Sequence, residues 1–126
     1  MRLVPTPVRW LLGAYPTAPT VRLAAAMGGL LAAVAGLTAP IEGPSFFILM
    51  VLSFDLAAGL ISNLSQSTQD FWRSQSFFLK GAYVIVHLTL YPIALITLVG
   101  VSVTLWILLV TLTAKTFAFT VVFREK

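Results

Sequence analysis

From Phe77 to Phe123 the chain carries no acidic residue, and only Lys80, His87 and Lys115 can bear positive charge. A single straight helix over that stretch would be roughly 70 Å long at 1.5 Å per residue. The hydrocarbon core of a bilayer is about 30 Å thick. The stretch is therefore expected to cross a membrane twice and turn back near its midpoint. Gly100 lies there, with Ser102 just beyond, so a tight turn is expected within Val99–Ser102. Pro92 is the rival breaker. A turn at Pro92 would leave one span too short and the next too long, so it is expected to kink the third span from within.

Two further apolar runs precede this pair. The first extends from Arg22 to about Ile41, with no charge before Glu42; the second follows Pro44 and reaches Asn63, with Asp55 as its only charge. Composition agrees: 59% of residues are hydrophobic and 10% charged, against about 25% charged in a soluble domain. The expected fold is all-α, a bundle of four transmembrane helices forming a single membrane domain over residues 1–126. The spans are placed at about 22–41, 45–63, 77–98 and 102–123 from the length a crossing needs. Residues 1–20 hold Pro5, Pro7, Pro16 and Pro19 and are expected to lie at the interface. The first apolar run exceeds the 7–15 residues of a signal-peptide core, and Pro40 follows the plausible cleavage point at Ala39, so it is read as a true span.

The basic residues flank the spans. Arg2, Arg9 and Arg22 precede the first, Arg73 and Lys80 surround the middle loop, and Arg124 and Lys126 follow the last. The connections at Glu42 and Gly100 have none. By the positive-inside rule both termini are expected in the cytoplasm, in a bacterial-type inner or plasma membrane. The net charge of +4 is thus accounted for by topology, and nucleic acid is not expected as a partner. Trp10, Tyr15, Trp72 and Trp106, with the Phe71 and Phe77–Phe78 aromatics, are expected as interfacial anchors. There is no cysteine, zinc-ligand spacing, phosphate loop or nucleophile elbow, so no metal or cofactor is assigned. Asn63-Leu64-Ser65 matches a glycosylation sequon but falls on the expected cytoplasmic side.

In the first span Ala24, Gly28, Ala32 and Gly36 recur every four residues. Such a stripe lets two backbones approach closely, either within the bundle or between two copies of the chain. The other distinctive feature is charge inside the spans. Asp55, His87 and Lys115 each cost a few kcal/mol if they face lipid, so each should face protein or water. Counted from the cytoplasmic ends of their helices, all three lie roughly 12–14 Å deep. At 100° per residue Asp55, Gly59, Ser62 and Gln66 share a stripe; so do Lys80, Tyr83, His87 and Tyr91; so do Thr104, Thr111 and Lys115. These stripes are expected to converge on one interior cluster of Asp55, His87 and Lys115. Asn63, Gln66, Tyr83, Tyr91 and Thr111 would be its polar lining, with Gly59 leaving room beside Asp55. The lining would continue inward as a funnel through Asp70 and Arg73.

Function follows from that cluster. The first expectation is a small transporter or channel-like protein with a proton-responsive Asp/His/Lys site, working as a homo-oligomer or within a larger membrane complex. The second is an intramembrane enzyme for a lipid or quinone-like substrate, with His87 as acid/base and Asp55 orienting it. The third is a non-catalytic subunit or assembly factor. A structural lock between helices remains the bland alternative for the three charges.

Overall fold

The computed structural model describes residues 11–13, 16–39 and 41–123. The described residues form five α-helices: α1 Ala18–Thr38, α2 Pro44–Asn63, α3 Gln66–Arg73, α4 Phe77–Val99 and α5 Val103–Phe119, with a 3₁₀ turn over Thr120–Phe123. Four of these segments are long and apolar enough to span a membrane: Ala18–Thr38, Pro44–Asn63, Phe77–Val99 and Val103–Phe123. The expected four-span, all-helical bundle is thus the observed architecture. Arg2, Arg9, Trp10, Tyr15, Arg124 and Lys126, on which part of the orientation rests, lie outside the described residues.

The helix ends follow from local chemistry. Thr17 caps α1 through its side chain, and Pro19 sits in the first turn, so α1 begins four residues before Arg22. It stops at Thr38 because Ala39 precedes a proline and takes an extended conformation, φ −94° and ψ 123°. Gly43 takes φ +68°, a value only glycine adopts freely, and Pro44 then opens α2. At the other connection Gly100 takes φ +62° and donates its N–H to Ile96, and Ser102 caps α5 through Leu105 N–H. The expected turn is therefore made by these two residues. Pro92 lies inside α4, as expected of a kink residue rather than a turn.

One element was not anticipated. The loop after Asn63 contains α3, capped by the Ser65 side chain on Thr68 N–H. This short helix is amphipathic and buries Thr68 and Trp72.

The helices run alternately up and down. Thr38 at the end of α1 meets Thr104 at the start of α5, hydroxyl to hydroxyl at 2.6 Å. Arg73 at the end of α3 donates to the Val121 carbonyl beyond α5 at 3.4 Å. Leu11 accepts from Thr68, so Leu11 and the end of α5 lie at the same α3 end. Helices α2 and α5 are the central pair. Helix α1 packs chiefly on α2, and α4 leans mainly on α5 and touches α2 sparsely. The small-residue stripe of α1 is occupied within the bundle: Ala24 and Gly28 are buried, the Phe54 ring lies against Gly28, and Met50 and Phe46 lie against Gly36. Of the two readings of that stripe, internal packing is the one formed.

The interior divides into halves. Toward the Gly100 end, Leu49, Leu56, Leu95 and Leu108 are fully buried and join Leu105 and Leu112 in one continuous cluster. Toward the α3 end, Trp72, Phe119 and Val122 form a second, smaller cluster. Trp72 is therefore a core residue and not the interfacial anchor expected from its position near a span end. Its indole packs edge-on against Tyr83 and Phe119, with ring centroids 5.1 and 5.2 Å apart. Phe77, Phe78 and Trp106 are exposed.

Candidate functional site

Between the two apolar clusters lies a polar one, built by α2, α4 and α5. Lys115 projects from α5, and its Nζ donates to Asp55 Oδ2 on α2 at 2.9 Å. Tyr91 on α4 donates its hydroxyl to the same oxygen at 2.7 Å. One carboxylate oxygen thus ties three spans together through two short charge-assisted bonds. The ammonium also stands 5.3 Å from the Tyr91 ring centroid and 5.7 Å from that of Tyr83, a range in which ring quadrupoles attract a cation. Lys115 reaches Asp55 because Gly59 is bare: a Cβ there would collide with the Lys115 stem. The room at Gly59 therefore serves the lysine rather than the aspartate's own surroundings.

His87 is buried, 5% exposed, and it is held differently from the expectation. Its Nδ1 lies 2.8 Å from the Tyr83 carbonyl of its own helix. That contact requires a proton on Nδ1, because a carbonyl oxygen can only accept. Among the described residues its buried Nε2 has no hydrogen-bond partner. Asp55 does not orient His87, since the carboxylate's partners are Lys115 and Tyr91. The acid–base pair needed by the enzyme reading is not formed.

The imidazole is sandwiched. Its ring stacks on Tyr83 at 4.0 Å and on Tyr91 at 4.3 Å, and Tyr83 stacks in turn on Phe119 at 3.7 Å. Positions 83, 87 and 91 recur every four residues, so α4 lays their rings one above another on a single face. Phe119 from α5 extends the column. Asn63 closes the α3 end of the site, donating to the Tyr83 hydroxyl at 3.0 Å and to the Lys115 carbonyl at 3.1 Å.

A cavity of about 390 Å³ runs beside this column, filling the gap between α2 and α4 with Lys115 behind it. Asp55, Gly59, Asn63, Tyr83, His87 and Tyr91 line it together with apolar residues of α4, and Trp72 and Leu11 close it toward the α3 end. Both members of the pair border the cavity, and Asp55, with 31% of its side-chain surface free against 4% for Lys115, is the more accessible. Beyond Asp55 the leucine cluster seals the other half of the bundle.

The structure thus brings together Asp55, His87, Lys115, Asn63, Tyr83 and Tyr91, and leaves two of the expected lining residues elsewhere. Gln66 does not continue the α2 stripe, because the chain breaks at Leu64–Ser65 and Gln66 opens α3, where it donates to Asp70. Thr111 turns its hydroxyl onto the Ile107 carbonyl of its own helix and does not line the cavity. The inward funnel through Gln66, Asp70 and Arg73 is not formed: Arg73 reaches Asp70 and Val121, and Trp72 fills the space beneath. Sequence reading missed Leu79, Ala82 and Val86 as lining residues. Their signal was present, since 79, 82, 83, 86 and 87 follow the spacing of one helical face.

Fold and site together define a four-span, all-helical membrane protein with a largely apolar cavity, bordered by an ion pair, in one half of its bundle. No protein-family model, curated protein or solved structure matches the chain.

Proposed function

We propose that this chain is a small-molecule transporter whose cargo site is the cavity between α2 and α4, with the Asp55–Lys115 pair as its inner wall. The carrying observation is the cavity itself: a ligand-sized space of about 390 Å³ inside a short bundle, ending on a paired charge. Binding pockets for small molecules combine mostly apolar walls with a few convergent polar groups. The leucine seal on the other half supports one end-state of an alternating cycle, rather than a continuous pore. Helix α4 is the natural moving part, because its contacts with α2 are sparse. A structural lock alone explains the ion pair but gives no reason for the space beside it.

The absence of native cysteine makes a direct test simple. Single cysteines at Ala82, in the cavity wall, and at Leu49, in the leucine seal, are labelled in sealed vesicles with a membrane-impermeant maleimide. Transport predicts reaction at Ala82→Cys from one side and slower reaction at Leu49→Cys from the opposite side. A Leu49→Cys that stays unreactive while Ala82→Cys reacts from one side alone would leave a binding protein without translocation, and the proposal would fail.

A further inference from the structure

The cavity's chemistry narrows what it takes, on the reading that it is a cargo site. Its charged lining residues are Asp55 and Lys115, which neutralise each other at 2.9 Å. An ion entering this space would bring an uncompensated charge among apolar walls at membrane depth, which is costly. A neutral molecule meets no such penalty.

The ring column narrows it further. Tyr83 is covered on one face by Phe119 and on the other by His87, and His87 is covered by Tyr83 and Tyr91. Both faces of these two rings are occupied, so they offer the cavity only edges. Ring edges are electropositive and attract the electron-rich face of a flat π-system.

Hydrogen bonding supplies the third constraint. The Tyr83 oxygen receives the Asn63 amide, and no acceptor for its own proton is found among the described residues. Asp55, 31% exposed, gives only its Oδ2 to Lys115 and Tyr91 and keeps its other oxygen as an acceptor, whereas His87 Nε2 is too deeply buried to face the cavity. The wall therefore offers one donor and one acceptor. A single hydroxyl group, which both accepts and donates, suits such a wall.

We infer that the cavity binds an uncharged, planar aromatic molecule bearing a hydroxyl group, whose oxygen accepts from Tyr83 and whose proton is donated to the free oxygen of Asp55. Such a molecule is soluble in the bilayer and reaches the gap between α2 and α4 without crossing a charged surface.

Four naphthalenes of similar size separate the contributions: 2-naphthol, 2-methylnaphthalene, 2-naphthoate and 2-naphthylmethylammonium. Binding is read from quenching of Trp72, which lines the cavity, in a Trp10→Phe, Trp106→Phe background. The protein is held in nanodiscs, and empty nanodiscs serve to subtract partitioning. The expected order places 2-naphthol at least tenfold tighter than either ion and severalfold tighter than 2-methylnaphthalene. Tyr83→Phe should remove the advantage of 2-naphthol over 2-methylnaphthalene and leave the latter's affinity unchanged. Ala82→Trp, which fills the cavity from α4, should abolish binding of both. Equal or tighter binding of an ion overturns the ligand class, and unchanged binding in Ala82→Trp overturns the site. Neither result depends on translocation, which the cysteine labelling reads separately.

Discussion

The Lys115 side chain crosses the bundle over the bare Cα of Gly59, and its ammonium reaches Asp55 there at 2.9 Å. Two residues from different spans are thereby coupled: the size of one determines whether the charge of the other is paired.

Gly59→Ala should therefore be destabilising. The added methyl displaces a pinned lysine and lengthens its ion pair, at a cost of about 1–3 kcal/mol, the usual range for overpacking. Gly29→Ala is the internal control, because nothing lies within 4 Å of a Cβ there. It should be neutral, or stabilising by up to about 1 kcal/mol through helix propensity. Thermal unfolding of both variants in detergent measures the difference. Equal melting temperatures would contradict the close approach.

Removing one member of the ion pair should cost more than removing both. Lys115→Met leaves Asp55 without its cation, and Asp55→Asn leaves a buried ammonium; each is expected to lose about 3 kcal/mol. The double variant Asp55→Asn, Lys115→Met should recover most of that loss, because a neutral pair has no unpaired charge. Unfolding free energies of the four proteins form the cycle. Additive losses would mean that the two side chains do not act on one another.

Accessibility of the cavity should depend on pH through His87. The titratable groups around it are Tyr83 and Tyr91 on its own helix, Asp55 on α2 and Lys115 on α5. Adding a proton to Nε2 turns an acceptor into a donor and adds a positive charge to a neutral site. The maleimide reaction of Ala82→Cys, normalised to an exposed cysteine to remove the thiol's own titration, should change as the pH is lowered far enough for His87 to take up a proton. His87→Gln should flatten that change, at a stability cost of about 1–3 kcal/mol for the two ring stacks it removes. A profile that survives the substitution excludes His87 as the responsive group.

Topology is open to a separate check. Reporter fusions at Glu42 and Gly100 should read as external and one at Ser67 as internal, following the basic flanks at Arg73 and Lys80. An internal reading at Gly100 would contradict the crossing order.

The sequence determined the four long apolar helices, the turn at Gly100 and the positions of Asp55, His87 and Lys115 along their helices. These depend on hydropathy, caps and rise per residue, which are properties of neighbouring residues. It also brought the charges to one level, because depth is a count along a helix. Which charge met which partner was decided only by the tertiary structure. The Asp55–Lys115 bond joins residues 60 apart and the Tyr91–Asp55 bond residues 36 apart. Such pairings depend on how each helix is rotated and where it stands in the bundle, and a period of 3.6 residues leaves both free. The same freedom turned Thr104 toward Thr38, gave His87 to its own backbone and drew Trp72 inside. The cavity belongs to this second category as well, since it exists only where α4 stands away from α2.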